Sequence, residues 1–223
     1  MGLKKKIKNL IRANILRALP PHLAFDQNRN DRTGALFKAW GHVITSHMMD
    51  GAYYEFGVYK GSSFRESFRI YQECVDWMDS QASSPEKWRR ETVWDYDHHF
   101  YAFDTFAGMP ENEEDEHLLA KGTFDSSLAE VKRAGEEVGM YEGEDVRYYQ
   151  GLFSELAEVR AAEIETLKPA VIANIDCDLY ESCMDALKIV GPKLQQGTVL
   201  MMDDWNIFGA DRNKGERRAL REF

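Results

Sequence analysis

Four carboxylates stand at the ends of two apolar segments of the sequence. Asp176 and Asp178 follow the run AVIANI, and Asp203 and Asp204 follow the run TVLMM. An apolar run without alternation is typical of a strand that is covered on both faces of a parallel sheet. In open parallel sheets ligands bind beyond the carboxyl ends of the strands, so two adjacent strands would bring these acids into one crevice. Helix capping explains one or two of them but not four, and their mutual repulsion predicts a bound cation.

A turn that contains two glycines follows the first predicted strand, 52–58. Gly57 and Gly61 stand in this turn, and Ser63 and Glu66 form a capping-box pattern at the start of the next helix. Glycine allows a ligand, or the chain itself, to approach the backbone closely, and a helix start offers free amides to polar ligand groups. The spacing is not the GxGxxG of dinucleotide-binding dehydrogenases, which leaves a nicotinamide enzyme as the weakest hypothesis.

Another acid, Asp104, ends the short apolar segment FYAF. In nucleoside-binding α/β folds an acid at the end of the second strand accepts hydrogen bonds from ribose hydroxyls, and this role is the functional hypothesis for Asp104. A cap or a turn explains a single aspartate about as well. The loop that begins at Thr105 leaves the same edge of the sheet, where loops commonly carry substrate contacts.

Composition narrows the class of protein. The 223 residues are 43% hydrophobic, which suits one domain with a sizeable core. The chain has 28 Lys and Arg against 38 Asp and Glu, and no long basic stripe lies beyond its start, so a nucleic-acid partner is not expected. Three cysteines without a CxxC pair predict neither a disulfide framework nor a zinc site, and they fit a reducing, cytoplasmic location. We expect no transmembrane segment.

Helix and strand patterns alternate along the chain, which predicts an α/β fold with a mostly parallel, doubly wound sheet and helices on both faces. We expect one domain at 33–223 with an insertion at about 79–99, preceded by an amphipathic helix and linker at 1–32. Lysines at the start of that helix suit a membrane surface, but packing on the domain or on a second subunit, as in a homo-oligomer, is favoured. The adjacent His98 and His99 point in different directions, so we assign them a structural role.

Several motifs in a fixed order resemble the macrocin O-methyltransferase family, whose members are class I S-adenosylmethionine-dependent methyltransferases that methylate sugar hydroxyls. The motifs are YYEFGVYKGSS (53–63), FDTFAGMP (103–110), GTF (122–124), QGLF (150–153), IDCDLYES (175–182) and MDDW (202–205). The resemblance covers most of the chain from about residue 33 and implies a Rossmann-like methyltransferase fold for the 33–223 domain. Such folds usually finish with an antiparallel hairpin, whereas this sequence stops inside the helix predicted after the fifth strand. We therefore expect the hairpin to be missing, and a catalytically silent cofactor-binding or interaction protein is the alternative.

The resemblance also implies a cofactor site and a divalent cation, usually magnesium. Glu55, Gly57 and Gly61 would border the methionine end of S-adenosylmethionine, Asp104 would bind its ribose, and the loop at Gly151 would lie by its adenine. The full set of implied cofactor-binding residues is Glu55, Gly57, Tyr59, Gly61, Ser62, Ser63, Asp104, Thr105, Gly151 and Asp176. The implied cation ligands are Asp176, Asp203 and Asp204.

The chemistry of the carboxylates agrees with that assignment. Magnesium prefers hard oxygen ligands and retains positions for water or substrate. Methyl transfer from a sulfonium is an in-line displacement, so the protein mainly holds the acceptor oxygen at roughly 3 Å from the methyl carbon and removes its proton. Asp176 or Asp178 is the predicted base, and we favour Asp176 as a ligand and Asp178 as the base or as a group that supports the ligands. The expected acceptor is a hydroxyl of a sugar or a glycosylated small molecule.

Overall fold

The structure, a computed structural model, describes residues 32–46, 49–81, 98–112 and 119–223. These residues fall into two compact units, of which the first comprises 32–46, 49 and 66–81 and the second comprises 50–65, 98–112 and 119–223. Apart from Arg32, the predicted amphipathic helix and linker at 1–32 lie outside the described residues, as does most of the predicted insertion. The domain boundaries therefore stay predictions. Within the described ranges, no helix has the length and apolarity that crossing a membrane requires.

The first unit is helical. Its segments are α1 (Arg32–Trp40), the π-helical turn Gly41–Ser46 that continues it, and the part of α2 (Ser62–Gln81) from Glu66 onward. Trp40 is fully buried, its indole Nε1 donates a hydrogen bond of 2.8 Å to Ser67 Oγ, and its ring centroid lies 5.1 Å from that of Tyr71. A buried indole N–H needs such a partner, so this bond orients Trp40 in the core of the unit.

The second unit contains, among the residues described, five strands and the helices that join them. In chain order these elements are β1 (Ala52–Phe56), the start of α2, β2 (His99–Asp104), α3 (Leu128–Glu136), β3 (Val146–Gln150), α4 (Phe153–Val159), α5 (Ala161–Glu165), β4 (Ala170–Ile175), α6 (Tyr180–Val190), β5 (Leu194–Met202) and α7 (Gly215–Glu222).

The strands form one sheet in the order β3-β2-β1-β4-β5, and every neighbouring pair is parallel. The order runs outward from β1 in both directions. Since parallel crossovers are right-handed, α3 between β2 and β3 and α6 between β4 and β5 lie on opposite faces of the sheet. The predicted parallel, doubly wound α/β fold is confirmed, and the place where the order reverses lies between β1 and β4.

The core explains why the strand sequences lack alternation. Every residue of β1 and of β4 is buried, as expected for central strands covered on both faces. Across β1, β2 and β3 the rings of Phe56, Phe103 and Tyr149 stack in register, with centroids 4.7 Å apart for the first pair and 4.6 Å apart for the second. Aromatic rings stacked in this way bury a large apolar area and hold the strand ends in a defined register.

Gly57 is the residue at which β1 and β4 approach most tightly at their carboxyl ends. Its φ is +86°, and a Cβ at this position would lie 1.7 Å from the carbonyl oxygen of Asp176. The Gly57 amide donates to the carbonyl oxygen of Phe103 at 2.9 Å, and the Asp176 amide donates to that of Phe56 at 2.8 Å. The glycine is therefore required by the chain itself, whatever ligand lies near it.

Gly57→Ala is expected to destabilise the protein strongly, because the added Cβ clashes with backbone in addition to straining φ. Gly139→Ala is the matched control, since Gly139 has a φ of +80° and open space around the missing Cβ. The control should lower the free energy of unfolding by about 1 kcal/mol through backbone strain alone. Urea denaturation of both variants measures the difference, and equal losses would contradict the steric explanation.

Candidate functional site

Backbone strain is concentrated at one edge of the second unit. Within the described ranges, the non-glycine residues with positive φ are Tyr59, Phe106, Phe124, Asp178, Phe208 and Ala210. All of them lie in connections that leave the carboxyl ends of strands β1, β2, β4 and β5. Such conformations are costly and are found mainly at binding sites and active sites. The carboxyl edge of the sheet is therefore the candidate site.

Three of the four predicted acids come together at this edge. Asp176 follows β4, Asp203 and Asp204 follow β5, and one carboxylate oxygen of each lies within 4.8 Å of the others. The amide of Asp203 donates to the Ile175 carbonyl oxygen at 3.0 Å, which ties the two strand ends together. Three carboxylates this close repel one another, and a hard divalent cation with oxygen ligands would relieve the repulsion. Three carboxylates that are partly exposed to water suit magnesium. The predicted cation therefore has a suitable site and stays a prediction.

Asp178 lies outside the group of three and supports it through its backbone. Its amide donates to Asp204 Oδ2 at 3.0 Å. Its φ is +56°, and the Leu179 amide donates to the Cys177 carbonyl oxygen across it at 2.5 Å, which makes a tight turn. The turn leaves the Asp178 carboxylate partly exposed at the same edge. This agrees with a residue that is no direct ligand, and its role as the base stays a prediction.

Glu55 is a buried acid held by two hydroxyl groups. The hydroxyl of Tyr53 donates to one carboxylate oxygen, and Ser63 Oγ donates to the other at 2.8 Å. Burial raises the pKa of Glu55 to about 7, the two donors oppose the rise, and the charge of Asp176 adds to it. The predicted capping box of Ser63 and Glu66 is wrong, because α2 begins at Ser62 and the Ser63 hydroxyl is used by Glu55.

Asp104 ends β2 and fastens the glycine turn that follows β1. Its Oδ2 accepts the amides of Val58 at 2.6 Å and Tyr59 at 2.7 Å, and its Oδ1 accepts the amide of Phe106 at 2.6 Å. These contacts show that Asp104 stabilises turns, which is one of the two roles that the sequence allowed. Ribose binding stays a prediction for the lone pairs that remain.

The other predicted cofactor residues lie in the same connections. Tyr59 is 39% exposed, and its ring meets that of the 50% exposed Phe124 edge-on at 5.7 Å. Thr105 Oγ1 donates to the Gly108 carbonyl oxygen at 2.8 Å and thereby closes a turn. The edge also carries Gly61 with φ +72°, the exposed Ser62, and Gly151, whose amide donates to the Asp104 carbonyl oxygen at 3.0 Å. Fold topology thus gathers every predicted site residue at one edge, and contacts with a cofactor stay predictions.

Glu216 lies beside the acids, although no sequence motif predicted a role for it. It is 1% exposed, and burial raises its pKa to about 10, with contributions from Asp204, Asp176 and Asp178 among its neighbours. One signal was present in the sequence. Glu216 shares the apolar stripe of α7 with Ala219 at helical spacing, and a carboxylate on a buried helix face is unusual.

An open parallel sheet whose order reverses beside β1 is a Rossmann-like fold, and solved methyltransferases share it. The O-methyltransferase NovP superposes with a TM-score of 0.60 at 21% identity, covering 86% of this chain and 69% of that one. CalS11, the calicheamicin methyltransferase, superposes with a TM-score of 0.62 at 17% identity, covering 100% of this chain and 85% of that one. At these identities the likeness shows the fold.

The family follows from the sequence itself. The profile of the macrocin-O-methyltransferase (TylF) family matches residues 91–223, more than half of the chain, so the protein belongs to this family. A relative from Streptomyces olivaceus, 8-demethyl-8-(2,3-dimethoxy-alpha-L-rhamnosyl)-tetracenomycin-C 4'-O-methyltransferase, is 32% identical over 112 residues. That match covers 47% of this chain and 41% of the relative, so the chain spans less than half the length of that protein. The predicted family is confirmed.

Replacing Glu55 is expected to change how stability depends on pH. The folded-state pKa of about 7 lies above the ordinary value of 4.5, so the folded protein keeps a proton that the unfolded chain releases. Stability from Glu55 is therefore present below pH 4.5 and is lost as the pH rises through 7. Glu55→Gln removes this loss.

Thermal melts in EDTA between about pH 5 and about pH 8 measure the effect. The melting temperature of Glu55→Gln should fall less with rising pH than that of the wild-type protein. Glu158→Gln, at an exposed position on α4, is the control and should follow the wild-type curve. Parallel curves for Glu55→Gln and wild type would contradict the raised pKa.

Proposed function

We propose that this protein is an S-adenosylmethionine-dependent and magnesium-dependent O-methyltransferase that acts on a hydroxyl of a sugar or a glycosylated metabolite. The observation that carries the proposal is the convergence of Asp176, Asp203 and Asp204 beside the glycine turn of β1. Family membership supports methyl transfer to oxygen, and the named activity of the Streptomyces relative, on a rhamnosyl compound, supports a sugar acceptor.

The glycine turn and the end of β2 are the proposed cofactor site. When bound there, S-adenosylmethionine supplies a methyl group on a sulfonium. Gly57 and Gly61 allow the positive φ values that shape this turn, and the exposed Tyr59 and Ser62 face solvent at the same place. Glu55 and Ser63 are buried and hydrogen-bonded to each other, so they would affect the cofactor site by fixing the shape of the turn.

Asp104 and the residues near it would serve the nucleoside. The Asp104 carboxylate already binds three amides and has lone pairs left for ribose hydroxyls. Thr105 follows Asp104 in the loop after β2, where it closes a turn. The Gly151 amide donates a hydrogen bond to the Asp104 carbonyl oxygen. Because Asp104 also binds the turn after β1, a ribose bound to Asp104 would stabilise that turn as well.

The three clustered acids would hold the cation, which would make a bound acceptor hydroxyl more acidic. Asp178 is the residue we favour as proton acceptor, because it lies outside the group of three and follows β4 in a turn at the same edge. Asp176 is the alternative base. In either case the carboxylate would accept the proton of the acceptor hydroxyl, whose oxygen would take the methyl group from the sulfur of the cofactor. The protein contributes mainly by orienting the acceptor oxygen.

The free cysteines favour the cytoplasm as the place of action. Cys74, Cys177 and Cys183 are all buried and unpaired by disulfides. A reducing compartment keeps such thiols in this state.

Asp203→Asn is the sharpest test of the proposed chemistry. The side chain is exposed and its charge repels the other two acids, so the substitution should leave the melting temperature unchanged or raise it while weakening cation binding and turnover by roughly tenfold or more. Calorimetry with magnesium measures the affinity. Transfer of labelled methyl groups from S-adenosylmethionine to nucleotide sugars and glycosides, with magnesium or with EDTA, measures turnover.

The control for this test is Glu158→Gln, which removes one negative charge at the exposed position on α4. Turnover that is insensitive both to EDTA and to Asp203→Asn would eliminate the cation from the proposal. A wild-type protein that binds no S-adenosylmethionine would eliminate the methyltransferase function.

A further inference from the structure

Glu216 is a buried carboxylate without a hydrogen-bond partner beside the three clustered acids. It is the second residue of α7 and is 1% exposed. Neither of its carboxylate oxygens has a hydrogen-bond partner among the described residues. A buried polar group in this state reduces stability, and in native proteins it usually has a partner that completes it.

Helix α7 is held firmly against the acid-bearing edge. Gly215 has φ +47°, and a Cβ there would lie 3.1 Å from the carbonyl oxygen of Asp178. Arg217 Nε donates to the carbonyl oxygen of Trp205 at 2.6 Å, and its guanidinium lies 4.8 Å from the Trp205 ring centroid. Since Trp205 directly follows Asp204, these contacts fix the position of Glu216 relative to that acid.

Glu216 lies between Gly215, which packs against the Asp178 carbonyl oxygen, and Arg217, which donates to the Trp205 carbonyl oxygen, so contacts on both sides hold it beside the acids. Asp204 is the charged group that raises its pKa most after burial itself, and Asp176 and Asp178 contribute as well. The oxygens of Asp176, Asp203 and Asp204 form the close group, to which Glu216 does not belong. Glu216 is thus a neighbour of the proposed ligands and not one of them, and its two oxygens have no hydrogen-bond partner among the described residues.

We propose that Glu216 is a positioning residue that strengthens cation binding at Asp176, Asp203 and Asp204 by accepting hydrogen bonds from water held on the cation. Magnesium usually keeps several of its waters when it binds to protein carboxylates, and those waters are hydrogen-bond donors. Mutating residues that hydrogen-bond to the ligands of a metal commonly lowers the protein's affinity for that metal by roughly tenfold to a hundredfold. The inference rests on the proposed cation site and adds a residue to it.

A purely structural role makes a different prediction. In a purely structural role, Glu216 is an uncharged acid on the buried face of α7. Replacing it by leucine would then remove an unpaired polar group and raise stability without altering cation affinity. If Glu216 supports the cation, the same replacement weakens binding even when the protein becomes more stable. Cation affinity and melting temperature therefore have to be measured on the same variants.

The test is a titration of the full chain with Mn²⁺ alone, followed by the electron paramagnetic resonance signal of the free ion. Glu216→Leu should weaken Mn²⁺ binding by at least about tenfold, with an unchanged or higher melting temperature. Glu216→Gln keeps one acceptor oxygen and should lie between Glu216→Leu and wild type. Glu158→Leu, an exposed position on α4, is the matched control and should bind as wild type does.

Each outcome decides the question. Affinities within about twofold of wild type for every folded Glu216 variant would overturn the role of Glu216 and leave the three-acid site standing. If Glu216→Leu does not fold, Glu216→Gln carries the test by the same criterion. Wild-type protein that binds no Mn²⁺ would remove the proposed cation site and, with it, this inference.

Discussion

The contact between Gly57 and the carbonyl group of Asp176 is the constraint on which the acid-bearing edge depends. It lies where the strand order reverses, so the backbone of β1 passes directly against the start of the loop after β4. The same approach allows the Asp176 amide to reach the Phe56 carbonyl oxygen and brings the end of β5 alongside through Asp203. Without room at residue 57, the acids would not share one crevice.

This edge carries charge and strain that the rest of the second unit has to support. Asp176, Asp203 and Asp204 repel one another, and Asp178 has a positive φ. The fully buried strands β1 and β4 and the stacked rings of β1, β2 and β3 supply the rigid, apolar support. A packed core of this kind resists relaxation, so it holds the acids close despite their repulsion.

Several residues predicted as ligand contacts are bound first of all by the protein itself. Asp104 accepts three amides from two loops, and Ser63 donates to the buried Glu55. Their effect on a cofactor would then pass largely through the shape of the glycine turn. In such an arrangement, hydrogen bonds to buried or partly buried acids join neighbouring strand ends. A ligand would then contact mainly backbone and exposed side chains.

The sequence by itself determined the parallel α/β fold, the acids at the strand ends and the glycine turn, because unbroken apolar runs and local turn residues report burial and backbone conformation directly. The family motifs added the order in which these parts occur. Only the tertiary structure decided that Ser63 serves Glu55, that Asp104 binds the turn, and that Glu216 lies buried beside the acids. Those facts depend on contacts between different strands, turns and helices, which local patterns do not encode.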